Sequence, residues 1–312
     1  MSNVRDELPI FEIARDNPKT ELVERVVAAV HAVPFYFDSA TVIEGVEAGD
    51  LFSLNTVLGS TIEVQTVAVL NKLRNIWDPD NKLANYAFHR SSQSFPDVRL
   101  VNALSLEAEP LIGIELKGWY VLTKERTPTF RYRVTPNACS EFDLLVVIPW
   151  HLSNVLSGKP IICEPFAINA KYAALARNHY WINMRETTLD TEIISPENVS
   201  PYPKASVEIS DKPKSDSGGN FGRIARVSGL MDDFVSSTLR NPIAGIPAIY
   251  WIDFFAAFVD NHTRDSIERD VKAKLARISS EWVKSNDMEK ALEAAAESLF
   301  NLFWIVNNGE RR

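Results

Sequence analysis

The chain is poor in the residues that build disulfide or zinc frameworks. Its 312 residues include only two cysteines, Cys139 and Cys163, and five histidines that show no paired ligand spacing. So few cysteines favour a reducing, cytoplasmic setting. These scarcities argue against a disulfide scaffold, a zinc finger and a zinc hydrolase of the paired-histidine kind.

Long apolar runs and phosphate-binding loops are also scarce. The most apolar window, residues 243–259, is short for a membrane span and contains Pro247 and Asp253, so we predict a buried helix and no membrane association. The polar, acidic first residues do not resemble a signal peptide. The glycines of residues 215–223 follow no predicted strand and precede no Gly-Lys-Ser/Thr, which indicates a flexible linker.

Basic residues are fewer than acidic residues overall, but not in every part of the chain. The net charge of -8 argues at first against a nucleic-acid partner. Residues 1–50 contain ten acidic and four basic residues, whereas residues 111–185 contain nine basic and five acidic ones. The acidity therefore belongs mostly to the N-terminal part, and the middle of the chain is locally basic.

The apolar patterns predict helices at both ends and strands in the middle. Strands are predicted at residues 98–104, 111–122, 142–152, 159–168 and 179–185. Helices are predicted at residues 20–33, 60–77, 169–178, 221–239, 246–260, 262–284 and 287–306, the second capped by Ser60 or Thr61. This order predicts an α/β fold with a mixed sheet and flanking helices. We divide the chain into an N-terminal helical arm (1–55), a core (56–200), a linker loop (201–220) and a C-terminal helical region (221–312).

One predicted core strand carries charges. Residues 111–122 are largely apolar, yet Glu115 and Lys117 stand two positions apart and so point to the same face. An unpaired buried charge costs several kcal/mol. Pro96-Asp97, 18 positions before Glu115, lies at the start of the preceding predicted strand.

An ordinary solvated Glu–Lys pair, worth little energetically, is the alternative. The apolar neighbours of the pair argue against it. Similar short patterns elsewhere lack this context: Asp270-x-Lys272 falls in a predicted helix, where side chains two apart diverge, and Pro79-Asp80 ends a helix.

Pro96-Asp97 followed by Glu115-x-Lys117 in an apolar strand resembles the signature of the PD-(D/E)xK nuclease superfamily, and its restriction-endonuclease branch in particular. The resemblance covers roughly residues 55–185. It implies a restriction-endonuclease-like mixed central β-sheet flanked by helices. It also implies a magnesium-dependent endonuclease of the type II restriction type, which cuts double-stranded DNA as a homodimer.

The resemblance also implies a role for each residue of the site. Asp97 and Glu115 would bind Mg²⁺, for which Mn²⁺ can substitute, with the backbone carbonyl of Leu116 as a further hard oxygen ligand. Lys117 would position or deprotonate the attacking water, and Glu63 in the preceding helix would be an auxiliary acid. Metal, phosphate and side chains would then compensate one another's charges.

A basic segment follows the charged strand. Lys124, Arg126, Arg131 and Arg133 alternate with aromatic residues and are candidates to contact DNA phosphates, although an exposed hairpin with merely solvated bases is the alternative. Asp143 opens the most apolar strand, and we expect a solubilising acid there, or otherwise a residue that reaches the metal site.

The sequence leaves two other functions open. One is a non-catalytic DNA-binding or scaffold protein that retains the nuclease fold. The other is a nuclease that acts on RNA or other phosphate substrates. Stabilisation by metal separates the first from an active nuclease, because an intact carboxylate pair should bind a dication.

Overall fold

The computed structural model describes residues 8–9, 17–46, 54–91, 94–105, 108–216 and 218–256, together with residues 269 and 273. Most of the helix predicted at 262–284, all of the helix predicted at 287–306 and parts of the predicted arm at 1–55 lie outside the described residues.

A mixed β-sheet of six strands forms the centre of the fold. Its strands are β1 (Tyr86–Arg90), β2 (Val98–Asn102), β3 (Ile112–Tyr120), β4 (Leu144–Leu152), β5 (Pro160–Ile162) and β6 (Phe166–Asn169). β1, β2 and β3 are antiparallel neighbours, β3 and β4 run parallel, and β5 and β6 both pair antiparallel with β4. The mixed α/β class predicted from the sequence is thereby confirmed.

Two short ribbons and several helices complete the described part of the chain. The ribbons pair β7 (Ile193–Ile194) with β8 (Lys212–Pro213), and β9 (Pro242–Ile243) with β10 (Ile246–Pro247). The α-helices are α1 (Pro18–Tyr36), α2 (Leu54–Lys72), α3 (Arg74–Trp77), α4 (Ala170–His179), α5 (Asp232–Arg240) and α6 (Ala248–Phe255). A π-helical turn, Tyr180–Met184, follows α4, and single 3-10 turns occur at Pro136–Ala138 and Ile224–Arg226.

Local sequence signals explain where α1 and α4 begin. The side chain of Asn17 accepts a hydrogen bond from the backbone N–H of Lys19 (2.9 Å), and Pro18 occupies the first helical position. The side chain of Asn169 likewise accepts from the N–H of Tyr172 (2.9 Å). These caps satisfy N–H groups that lack a partner within the helix.

The two parallel strands supply the centre of the core. β4 is buried at every residue except the half-buried His151, as expected of a strand covered on both faces. α2 packs against β1 and β3. Trp77 of α3 packs edge-to-face on Phe88 of β1, with ring centroids 5.3 Å apart. The sheet edge formed by β1 and β2 is thereby fixed against the helices.

Several local predictions are wrong. The strand predicted at 179–185 is helical, because α4 continues into the π-helical turn while Trp181 packs on Phe221 at 5.1 Å. α2 begins at Leu54, before the cap predicted at Ser60 or Thr61. The strand predicted at 159–168 is divided into β5 and β6, and β1 was not predicted at all.

The apolar window at 243–259 contains α6, whose residues Ile252 and Phe255 are buried. None of the helices in the described ranges combines the length and apolar character needed to cross a bilayer.

Candidate active site

The candidate site lies where β2 and β3 stop pairing. Their antiparallel register ends at Val98 and Ile114, so Asp97 and Glu115 stand just beyond the last pair. The backbone N–H of Asp97 donates to Oε2 of Glu115 (3.3 Å), and the N–H of Leu116 donates to Oδ2 of Asp97 (3.2 Å). Beyond the last ladder pair, each side-chain carboxylate therefore accepts from a backbone N–H of the opposite segment, and these two bonds link the strands.

Lys117 joins the two carboxylates. Its Nζ lies 2.6 Å from Oε1 of Glu115 and 3.5 Å from Oδ2 of Asp97. The Glu115 side chain is 10% exposed, that of Lys117 21% and that of Asp97 33%, so the cluster has one buried and one partly open side. The structure thus brings together the three residues that the sequence pattern selects.

Burial and the neighbouring charges shift the pKa values of Glu115 and Lys117. Burial raises the pKa of Glu115 to about 7; the ammonium of Lys117 opposes that rise and the carboxylate of Asp97 adds to it. Burial alone would lower the pKa of Lys117, but the carboxylates of Glu115 and Asp97 outweigh it and raise that pKa above its usual value. Lys117 is therefore an ammonium at neutral pH, while Glu115 exchanges its proton near neutrality.

Glu63 borders the cluster from α2. Its Oε2 lies 3.5 Å from Nη2 of Arg90, at the end of β1, and its side chain is 24% exposed. Burial raises the pKa of Glu63, the charge of Asp97 adds to this, and Lys117 and Arg90 oppose it. Glu63 thus shares the electrostatic field of the site while pairing with Arg90, a residue that the sequence pattern did not single out.

The break in the sheet offers oxygen atoms of the kind that a hard divalent cation binds. Leu116 directs its N–H toward Asp97, and because the N–H and C=O of one strand residue point to the same edge, its carbonyl faces that edge too. Within the described ranges, no three His, Cys, Asp or Glu side chains gather as a metal centre. The candidate ligands are the carboxylates of Asp97 and Glu115 and the backbone carbonyl of Leu116, and oxygen ligands are those that Mg²⁺ prefers.

Asp143 and Gly113 explain how the Pro96-Asp97 segment lies against β3. Asp143 is fully buried and accepts hydrogen bonds from the N–H of Gly113 (2.7 Å), the N–H of Ser140 (2.8 Å) and the hydroxyl of Tyr202 (2.8 Å). A Cβ on Gly113 would lie 2.4 Å from Cγ of Pro96, whose preceding peptide bond is cis. The expectation of a solvated acid at Asp143 is wrong, because this carboxylate fastens the start of β4 to β3.

The four candidate phosphate contacts differ in their surroundings. They are Lys124, Arg126, Arg131 and Arg133. Two pair with carboxylates: Arg126 with Asp253, and Arg133 with Asp216 at 3.5 Å. The other two, Lys124 and Arg131, are exposed and pair with no carboxylate among the described residues. All four lie in a loop after β3 rather than in a hairpin, so Lys124 and Arg131 are the better placed to meet an extended ligand.

No known family model matches the chain, and comparison with curated proteins finds no similar sequence. The chemistry of the site is therefore inferred from its own residues and their contacts.

Proposed function

We propose that the protein is a magnesium-dependent nuclease of the type II restriction type, which hydrolyses phosphodiester bonds in double-stranded DNA on a restriction-endonuclease-like fold. The observation that carries this proposal is the convergence of Asp97, Glu115 and Lys117 where β2 and β3 separate. The mixed sheet with helices packed on it supports the fold assignment. A site on paired strands is also held more rigidly than one on loops.

The residues present fit the dication that this chemistry uses. Asp97, Glu115 and the carbonyl of Leu116 would hold it. When bound, Mg²⁺ or Mn²⁺ supplies charge stabilisation at the phosphate and lowers the pKa of a coordinated water. The proton that Glu115 exchanges near neutrality would leave as the ligand set becomes fully ionised.

Lys117 would act by charge and hydrogen bonding rather than as a base. Its carboxylate neighbours raise its pKa, and a group that holds its proton so tightly is a poor proton acceptor near neutral pH. Its ammonium has donors that can orient the attacking water and offset the charge that develops on the phosphate oxygens. Glu63, held by Arg90, would order water at the border of the site.

The DNA would be held largely through its phosphates. Lys124 and Arg131 are exposed in the loop after β3, and neither pairs with a carboxylate in the described part of the chain, so both would be available to DNA phosphates. A two-fold homodimer would present two such sites to the two strands of a duplex. We place this activity in the cytoplasm, where the two free cysteines stay reduced.

Cleavage of a supercoiled plasmid tests the proposal. The wild-type protein should nick or linearise the plasmid with Mg²⁺ and not with EDTA, and Lys117→Ala should be slower by about a hundredfold or more. Lys82→Ala is the matched control, because that side chain is 78% exposed and pairs only with Asp80 among the described residues. Equal rates for the wild type and Lys117→Ala would show that this lysine has no catalytic role.

Parallel substrates separate the other functions. Cleavage of RNA or single strands in preference to duplex DNA would assign another phosphate substrate. Binding of DNA without cleavage at any metal concentration would indicate a non-catalytic protein that retains the fold.

A further inference from the structure

A basic pocket, separate from the candidate active site, lies between the end of α4 and the segment around residues 220–227. Its volume is about 140 Å³, and four arginines line it: Arg177, Arg185, Arg223 and Arg226. Trp181 also lines it. None of these residues belongs to the Asp97–Glu115–Lys117 cluster or to the four candidate DNA contacts. We call it the arginine pocket.

The π-helical turn after α4 shapes the arginine pocket. This wider turn, Tyr180–Met184, places Trp181 edge-to-face on Phe221, with ring centroids 5.1 Å apart. Gly222 has a φ of +86°, and a Cβ there would lie 2.8 Å from Cγ of Arg133. Glycine therefore allows the segment to approach closely. Single π-helical turns occur frequently at functional sites.

Arg177 is a structural member of the pocket. Its guanidinium donates to Asp211 (2.5 Å) and to the carbonyls of Tyr132 (2.7 Å) and Val134 (3.0 Å). Arg177 and Asp211 are both almost fully buried, so each neutralises the other. The charge available to a ligand must come from the other three arginines.

Those three arginines are only partly neutralised. Glu125 accepts from both Arg223 and Arg226, the latter at 3.2 Å. In the described part of the chain, Arg185 has no carboxylate within ion-pair distance, and its guanidinium stacks 3.5 Å above the ring of Trp181. The pocket thus carries four guanidinium groups against the carboxylates of Glu125 and Asp211.

Two residues that line the pocket also carry buried donors with no acceptor in the described part of the chain. The indole N–H of Trp181, a residue only 3% exposed, has no hydrogen-bond acceptor among the described residues, and Nε of Arg223 has none either. Leaving such donors unsatisfied is costly, so each one needs an explanation such as a ligand. A bound group with several acceptor oxygens would bring acceptors to the residues that carry these donors and would offset the surplus positive charge.

We propose that the arginine pocket binds a phosphate group. The planar fork of a guanidinium matches phosphate oxygens, and arginine is preferred where such groups are recognised. The volume of about 140 Å³ is well below the roughly 300 Å³ at which pockets for drug-sized ligands begin, so it fits a phosphate rather than a whole nucleotide. The inference does not depend on the proposed nuclease activity.

Isothermal titration calorimetry with inorganic phosphate, at constant ionic strength set with chloride, tests the proposal. The wild type should show saturable binding, and Arg185→Gln should weaken it at least about tenfold, because a charge-assisted contact is lost. Lys82→Gln removes a positive charge from an exposed side chain and should bind as the wild type does. Arg185→Lys keeps the charge without the fork and should fall between the two.

The source of the phosphate is separated by further titrations. The ligands are a nucleoside monophosphate and one DNA duplex prepared with either 5′-phosphate or 5′-hydroxyl ends. Binding that depends on both the 5′-phosphate and Arg185 would identify a DNA end, whereas equal binding of both duplexes beside tight monophosphate binding would identify a small ligand. Absence of saturable phosphate binding by the wild type, or equal affinity in folded Arg185→Gln, would overturn the proposal. If melting shows that Arg185→Gln is unfolded, Arg223→Gln takes its place.

Discussion

Replacing Lys117 by methionine separates metal binding from catalysis. The substitution removes the ammonium but keeps an unbranched, flexible side chain. In the structure Nζ lies 2.6 Å from Oε1 of Glu115 and 3.5 Å from Oδ2 of Asp97, so the ammonium contacts the oxygens that we propose as metal ligands. We therefore expect Lys117→Met to lose cleavage and yet to bind Mn²⁺ more tightly than the wild type.

The size of the effect follows from the charges. Two unit charges 4 Å apart interact by about 4 kcal/mol at an effective dielectric constant of about 20, and a dication doubles this repulsion from Lys117. The site is partly open, with Asp97 33% exposed, so solvent screens much of that energy. Without the ammonium, protons also compete harder for Glu115, which argues for measurement at alkaline pH. We expect a gain of about 1.4 kcal/mol, or about tenfold in affinity.

Calorimetric titration with MnCl₂ at alkaline pH, together with the rise in melting temperature at saturating Mn²⁺, measures this gain. Lys82→Met serves as the control for removing a lysine charge elsewhere. The reasoning is refuted if Mn²⁺ stabilises neither protein, or if it binds Lys117→Met more weakly than the wild type.

Three further predictions concern stability. Gly113→Ala should lower the free energy of unfolding by about 1–3 kcal/mol, because the new Cβ would lie 2.4 Å from Pro96. Gly59→Ala in α2, where a new Cβ would meet nothing within 4 Å, should raise the free energy of unfolding by about 0.5–1 kcal/mol. Urea unfolding measures both variants, and equal effects would contradict the close packing of Gly113 on Pro96. The pKa of Glu115 is about 7 in the folded protein and 4.5 in the unfolded chain, so binding of a proton by Glu115 stabilises the fold. This contribution to the free energy of unfolding is fully present below about pH 4.5 and is lost as the pH rises through about 7. In EDTA, the free energy of unfolding of Glu115→Gln relative to the wild type should therefore rise across that pH range by up to about 3 kcal/mol. A difference between the two proteins that does not change with pH would refute the raised pKa of Glu115. Arg177→Met should cost about 3–5 kcal/mol in thermal or urea unfolding, since its carboxylate partner stays buried and unpaired; a near-neutral variant would contradict this.

The elements that could be predicted from the sequence are those with strong local signals. α1 and α4 have regular apolar spacing and asparagine caps, β4 is apolar nearly throughout, and β3 has apolar residues on both sides of Glu115 and Lys117. The candidate site was predictable because the two-residue repeat of a strand puts Glu115 and Lys117 on one face, and because Pro96-Asp97, directly before β2, completes the resemblance to the nuclease signature.

The features that could not be predicted depend on contacts between distant residues. β1, with the mixed sequence of Tyr86–Arg90, is a strand because it pairs with β2, and its last residue then reaches Glu63. The burial of Asp143 depends on Tyr202, 59 positions away, and the π-helical turn after α4 is packed by Phe221. No local pattern in the sequence encodes such partners.

Diffraction from crystals soaked in MnCl₂, recorded with anomalous scattering from manganese, tests the central claim most directly. We predict one anomalous peak between Asp97 and Glu115, about 2.0–2.6 Å from their carboxylate oxygens and from the carbonyl of Leu116, with Nζ of Lys117 displaced from Glu115. A site without manganese at saturating concentration, with the Lys117–Glu115 contact unchanged, would contradict the assignment of a metal-dependent nuclease centre.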